Sequence, residues 1–305
     1  VPEPVITIEG LHKSYGEVEA VRGVDLRVEA GEIFAVVGPN GAGKTTTLEI
    51  LEGYLSRDEG RVEVLGTDPA EPTPAWRERI GIVLQETALE TLLSVRESLE
   101  LYAGYYSAPR PVDEVIELVG LAGEADRRTG RLSGGQKRRL DVGIALVGDP
   151  DLLFLDEPTT GFDPSARRHA WQMVAGLREL GKTVLLTTHY LEEAQFLADR
   201  VAVINRGVVV ADDTPERLGD RESLPTRISF RVPAGGLSPE TAGVEGMTVE
   251  PGVQGEHPRA TFDSSSPTAD LDRLTSWAVG AGIELESLEV RRPTLEDVYL
   301  ELTSE

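Results

Sequence analysis

Gly38-Pro39-Asn40-Gly41-Ala42-Gly43-Lys44-Thr45 is the stretch that decides the fold. It matches G-x-x-x-x-G-K-[ST], directly behind the apolar run 33–37 and in front of a helical pattern over 44–52. The glycines let the backbone bend so that its N–H groups converge on an anion, and the helix N-terminus adds its dipole. Lys44 brings a positive charge to the terminal phosphates, and the Thr45 hydroxyl is a ligand for Mg²⁺. A glycine-rich turn that merely happens to carry a lysine would look similar alone. The strand–loop–helix context favours a nucleotide-phosphate site, with Thr46 continuing the first turn.

Outward from this loop the chain reads as α/β. Val24, Leu26 and Val28 alternate with Asp25, Arg27 and Glu29, a period-two pattern, and 60–65 and 80–84 read as further strands. From about 86 to 150 the pattern is helical. Ser94 and Glu97 form a capping box before a helix over 95–106, a second helix follows Pro111, and a third spans 135–146. Strands return at 152–155, 184–187 and 201–204, separated by helices near 164–180 and 191–197. Alternation of this kind predicts a largely parallel sheet with the helical block inserted in it. After Leu218 the composition shifts. A strand at 226–232, a loop-heavy stretch over 233–267, a helix over 268–279 and a closing amphipathic helix over 294–302 predict a small α+β domain. The expected division is 1–220 and 221–305.

Leu152-Leu153-Phe154-Leu155-Asp156-Glu157-Pro158 is a buried-strand pattern ending in two carboxylates. At a strand end beside a phosphate site, Asp156 can hold Mg²⁺ and Glu157 can polarise an attacking water. An ordinary strand ending in solvated acids is the plain alternative; the neighbouring loop tips the balance. Leu132-Ser133-Gly134-Gly135-Gln136 opens a helix about twenty residues earlier and forms a second anion nest of hydroxyl, glycines and free amides.

Taken together, these motifs resemble the ABC ATPases, the nucleotide-binding subunits of ATP-binding-cassette transporters, over about residues 5–218. The resemblance implies a P-loop NTPase fold of the ABC type, a mixed sheet with an N-terminal antiparallel β part and an inserted helical subdomain, and it implies ATP and Mg²⁺ as cofactors. It further implies that Tyr15 stacks on adenine and that Gln85 reaches Mg²⁺ and senses the γ-phosphate. By the same resemblance Asp163, in Gly161-Phe162-Asp163, crosses between subunits, and His189 contacts the γ-phosphate. Phe162 departs from the commoner Leu, whereas no essential position departs, so hydrolysis is expected to be intact. Ser133, Gly134, Gly135 and Gln136 of one subunit would close over the ATP of the other, giving a head-to-tail homodimer. The end, Arg291-Arg-Pro-Thr-Leu-Glu-Asp-Val-Tyr-Leu-Glu-Leu-Thr303, resembles the closing segment of the daunorubicin-resistance type of drug-export ATPase and its ABC-2 relatives. An amphipathic helix with a proline near its start accounts for it equally. Family members meet their membrane subunit in the segment 86–98; Leu89, Leu92 and Leu93 fit that contact or the core of the helical insertion equally well.

Composition excludes other classes. With 53 Asp+Glu against 30 Lys+Arg, the net charge is -23, which repels a phosphate backbone, so no nucleic-acid partner is expected. There is no cysteine, hence neither disulfide nor thiolate metal site. The apolar runs fall far short of the roughly 20 residues of a membrane span. Val1-Pro2-Glu3-Pro4 carries no basic stretch or apolar run of a signal peptide. The expectation is a cytoplasmic protein, peripheral on the membrane through a separate permease that it powers for export. Two alternatives stand beside it. An importer subunit with a regulatory tail fits the cassette, and a soluble ABC machine is disfavoured by the single cassette and the charge.

Overall fold

The computed structural model describes residues 4–84, 89–220, 224–231, 246–251 and 257–303. The chain divides into two units, a first extending to Leu218 and grouped with the end of the chain from Leu302, and a second from Gly219 to Glu301.

The first unit begins with a long hairpin, β1 (Pro4–Tyr15) and β2 (Val18–Glu29), turned at Gly16 and Glu17. The alternation at Val24, Leu26 and Val28 buries one face of β2. Strand β3 (Ile33–Val37) follows, with every residue buried, and leads through the glycine loop into α1 (Lys44–Leu51). β4 (Glu59–Val64) pairs with β1, closing a three-stranded sheet of order β2-β1-β4. α2 (Pro74–Glu78) anchors beneath it: the buried Trp76 donates its indole N–H to the Val64 carbonyl at 2.8 Å.

β5 (Ile80–Val83) then enters the main sheet. Among the described residues three α-helices intervene before the next strand: α3 (Val95–Ala103), α4 (Val112–Leu118) and α5 (Gly134–Leu146). They share an apolar core of their own around Val95, Leu99, Val115, Leu121 and Leu140. Each fully buried leucine there is worth about 2–3 kcal/mol. The remaining strands are β6 (Leu152–Asp156), β7 (Thr183–Thr188), β8 (Arg200–Asn205) and β9 (Val208–Asp213), with α6 (Pro164–Glu179) and α7 (Leu191–Leu197) between them. The six-stranded order is β5-β6-β7-β3-β8-β9, parallel except for β9, which returns antiparallel to β8. β3 is therefore central. Its C-terminal end, where the glycine loop starts, lies beside the ends of β7 and β8, the edge at which open α/β sheets bind ligands.

The second unit is a four-stranded antiparallel sheet of order β11-β12-β10-β13 with helices. Its strands are β10 (Thr226–Arg231), β11 (Thr248–Glu250), β12 (Arg259–Ser264) and β13 (Glu286–Arg291). α8 (Pro267–Ala281) precedes β13, and α9 (Leu295–Thr303) follows it. Ile228, Phe230, Ala260 and Phe262 pack with Leu274 of α8. The expected α/β class, the antiparallel N-terminal part and the α+β tail match these elements. Helix ends move by a few residues. The helix expected to reach Tyr106 stops at Ala103, because Gly104 follows and lowers helix propensity. The stretch at 233–267 expected to be loop-heavy instead holds β11 and β12 where it is described, because Gly, Pro and Ser between short strands mask their alternation; 232–245 and 252–256 lie outside the described residues.

Candidate functional site

Each phosphate-loop glycine has a geometric cause. A Cβ on Gly38 would stand 2.2 Å from the Ile204 carbonyl oxygen, and one on Gly43 2.4 Å from that of Ala20. Gly43 also has φ +105°, which side chains rarely adopt. The β8–β9 turn clasps the loop from outside, Gly207 N–H donating to the Ala42 carbonyl at 2.9 Å. Gly43 is the N-cap of α1 and supplies no side-chain cap, so the helix presents its first amides to the loop. Lys44 is buried and donates to the carbonyls of Gly38 at 2.8 Å and Pro39 at 3.2 Å. Burial pulls its ammonium below the usual lysine range, while the charges of Glu157 and Asp156 oppose that fall. Pro39, Asn40, Gly41 and Thr45 are exposed, and Thr46 is half-buried. Tyr15, 49% exposed, stands at the turn of the β1–β2 hairpin, and β2 meets the loop at Ala20 and Val21.

The two acids occupy the end of β6. Asp156 is buried, and one of its carboxylate oxygens accepts from the Thr187 hydroxyl at 2.5 Å. Glu157 takes φ +44°, a left-handed conformation that is costly for a residue with a side chain. Its backbone N–H donates to the Thr187 carbonyl and hydroxyl at 3.2 and 3.0 Å. Its carboxylate accepts from the Thr160 hydroxyl at 3.0 Å and faces His189 Nδ1 at 3.3 Å. Lys44, Asp156, Glu157 and His189 thus converge at one edge of the sheet. Gln85 lies outside the described residues.

Ser133 and Asp163 belong to a different place. Ser133 caps α5 in a box with Gln136: the Gln136 N–H donates to the Ser133 hydroxyl at 3.3 Å and the Gln136 side-chain Oε1 accepts from the Ser133 N–H at 2.9 Å. Asp163 caps α6 by accepting from the N–H groups of Ser165 and Ala166. Between the two helix starts lies a groove of about 440 Å³ lined by Ser133, Gly135, Gln136 and Asp163, and by none of the four residues of the first cluster. Gly134, between Ser133 and Gly135 in sequence, is exposed.

For Mg²⁺, the described residues hold no group of three or more His, Asp or Glu placed as ligands. Asp156 and the Thr45 hydroxyl are hard oxygen donors at neighbouring ends of β6 and α1. One carboxylate, one hydroxyl and the oxygens of a phosphate fit a cation that keeps several waters and dispenses with an all-protein cage.

Three residues escape a reading by motif, and a fourth, Arg138, enters it only as part of the Gln136-Lys137-Arg138-Arg139-Leu140 run that agrees with the drug-export group, without a role of its own. Thr187 locks the acidic pair from β7, and Thr160 holds the Glu157 carboxylate. Glu193 of α7 is fully buried and accepts from the Thr159 hydroxyl and the Trp171 indole, each at 2.9 Å. Arg138 of α5 is 5% exposed and donates to the carbonyls of Asp156 at 2.9 Å, Pro158 at 3.1 Å and Leu84. The structure adds why Arg138 is buried: it falls on the same helical stripe as Val142 and Ala145, both buried.

A P-loop at the end of a central parallel strand, an acidic strand end beside it and a separate capped-helix nest define the ATP-binding-cassette class of nucleotide-binding proteins. Residues 21–160 match the ABC transporter family, and residues 226–294 match the ABC transporter domain-containing protein-like C-terminal domain. The chain is 41% identical to the daunorubicin resistance ATP-binding protein DrrA3 of Streptomyces coeruleorubidus, covering 99% of this chain and 97% of that one. It is 35% identical to the linearmycin resistance ATP-binding protein LnrL of Bacillus subtilis, covering 98% of each. A dimeric, post-hydrolysis ATP-binding cassette bound to ADP and Pi superposes with a TM-score of 0.61 at 27% identity, over 68% of this chain and 98% of that one. The chain belongs to the ATP-binding proteins of ABC transporters. It is an ATP-binding subunit of such a transporter and an ATP hydrolase.

Proposed function

We propose that this chain hydrolyses Mg²⁺-ATP between two copies of itself and powers a separate membrane permease that exports a drug-like or other hydrophobic compound. The observation that carries the catalytic part is the Glu157–His189 pair at 3.3 Å beside the buried Lys44. In this reading the loop amides from Gly38 to Thr46 and Lys44 bind the phosphates, and Tyr15 stacks on the base. Thr45, Asp156 and Gln85 hold Mg²⁺, which would neutralise charge on the phosphates when bound. Glu157 orients the attacking water and accepts its proton; its carboxylate is already aimed by Thr160 and His189. The groove at Ser133, Gly134, Gly135, Gln136 and Asp163 takes the partner's nucleotide. Its separation from the first cluster supports a head-to-tail pair, because one chain alone supplies only half of each site.

Export is supported by the resistance functions in the names of the relatives aligned along almost the whole chain. A permease contact is supported by an apolar surface on the helical part. Leu89 packs into the helical core, whereas Leu92 is 69% exposed, and Leu101, Tyr102 and Tyr105 are exposed nearby in sequence. No described helix is long and apolar enough to cross a membrane, so the path would come from another chain, with this one peripheral on the cytoplasmic face.

The test is Glu157→Gln. It should bind ATP with native affinity and lose at least about 100-fold in turnover. Native-rate hydrolysis would refute the catalytic assignment. For transport, co-expression with a neighbouring six-span permease should confer resistance to a hydrophobic drug. Resistance that survives Glu157→Gln would detach it from ATP hydrolysis by this chain.

A further inference from the structure

We propose that Arg138 is a positioning residue for hydrolysis: it locks the backbone on either side of Glu157 to the helix that begins at Ser133, so that engagement of the partner's nucleotide sets the placement of the carboxylate in its own chain. This inference rests on the reading of Glu157 as the residue at the attacking water. The parallel ladder between β5 and β6 ends at Val83 and Leu155. Beyond that point the carbonyls of Leu84, Asp156 and Pro158 have left it, and the guanidinium of Arg138 donates to all three. Two of these carbonyls flank Glu157; the third belongs to the residue before Gln85. On the opposite side, Thr187 takes the Glu157 N–H. Glu157 is thus clamped between α5 and β7 in a left-handed conformation that needs outside support.

Position along the helix supplies the coupling. Arg138 lies five residues after Ser133 on α5, a rigid element whose capping box is formed. A small displacement of the helix start is carried to the three carbonyls, and misplacement of a reacting group by about 1 Å costs on the order of 100-fold in rate. A lysine keeps the charge yet lacks the planar fork that reaches several acceptors at once, so Arg138→Lys is not conservative here.

The experiment compares native protein, Arg138→Lys, Glu157→Gln and the double variant, with kcat and KM for Mg²⁺-ATP, affinity for a fluorescent ATP analogue, and thermal melting. Arg138→Lys should lower kcat at least about 10-fold, with KM and nucleotide affinity within about 2-fold of native. In the Glu157→Gln background the same change should leave residual turnover unaltered, since the group it places is gone. Native-like kcat in Arg138→Lys overturns the proposal, as does an equal rate loss in both backgrounds. Arg138→Gln, measured alongside, covers failure of the lysine variant to fold; loss of the folded state in both assigns Arg138 a purely structural role and also overturns it. Native hydrolysis by Glu157→Gln alone would instead sink the assignment beneath it, whatever Arg138 does.

Discussion

Glu52, at the C-terminal end of α1, is buried, and its Oε1 has no hydrogen-bond partner. Burial, the Asp156 charge and the Glu49 charge push its carboxyl up to about 8 from 4.5. The folded chain therefore holds a proton there that the unfolded chain releases. Its favourable contribution is complete below pH 4.5 and is lost as pH rises through 8, at a slope of up to about 1.4 kcal/mol per pH unit. Glu52→Gln keeps the shape and removes the ionisation, so its melting temperature relative to native should be clearly higher at pH 9 than at pH 5. Equal differences at the two pH values would contradict the buried-acid account. At this scale motifs singled out Lys44, Asp156 and Glu157, and the family resemblance added His189; the fold brings the four together. Motifs could not disclose Glu52, Glu193 or Thr187, because a carboxylate or threonine among apolar residues reads as a solvated break or a β-former until the fold shows what surrounds it.

Caps decided much at the scale of elements. The Ser94–Glu97 box expected before α3 is formed, Glu97 N–H donating to Ser94 at 3.1 Å and Ser94 N–H to Glu97 at 2.7 Å. The closing segment that resembles drug-export ATPases owes its form to the same chemistry. Asp297 accepts from the Thr294 N–H at 2.7 Å and hydroxyl at 2.6 Å, and Arg291 pairs with it at 2.9 Å. Burial raises the Asp297 carboxyl, but the Thr294 bonds and Arg291 outweigh it and bring it down to about 2. Its stabilising contribution is present above the ordinary value of 3.8 and lost as pH falls through 2. Thr294→Ala should cost about 1 kcal/mol, screened somewhat because the pair is partly exposed, and should raise amide exchange in α9. Unchanged exchange there would argue that packing alone holds the helix. Strands such as β11, three residues long and exposed throughout, were not legible in the sequence, since no alternation can declare itself over so short a run.

For the whole molecule, the parallel sheet with its helical insertion followed from the alternation of strand and helix patterns around one glycine loop. Sheet order did not, because β3 lies between β7 and β8, strands more than 140 residues away in sequence. The same topology brings Lys44, Asp156, Glu157 and His189 to one edge while leaving Ser133 and Asp163 in their own groove, and in the proposed function a second copy of the chain would bring the two together. The Ser133 groove should be needed for pairing and not for binding in the chain's own phosphate loop: Ser133→Arg ought to bind ATP as a monomer with near-native affinity yet fail to dimerise. The most direct measurement is the mass of Glu157→Gln in solution with and without Mg²⁺-ATP. The variant should weigh 33.0 kDa without nucleotide and twice that value, with two ATP bound per pair, when it is added. A species that stays at 33.0 kDa with ATP bound would contradict hydrolysis between two copies of the chain.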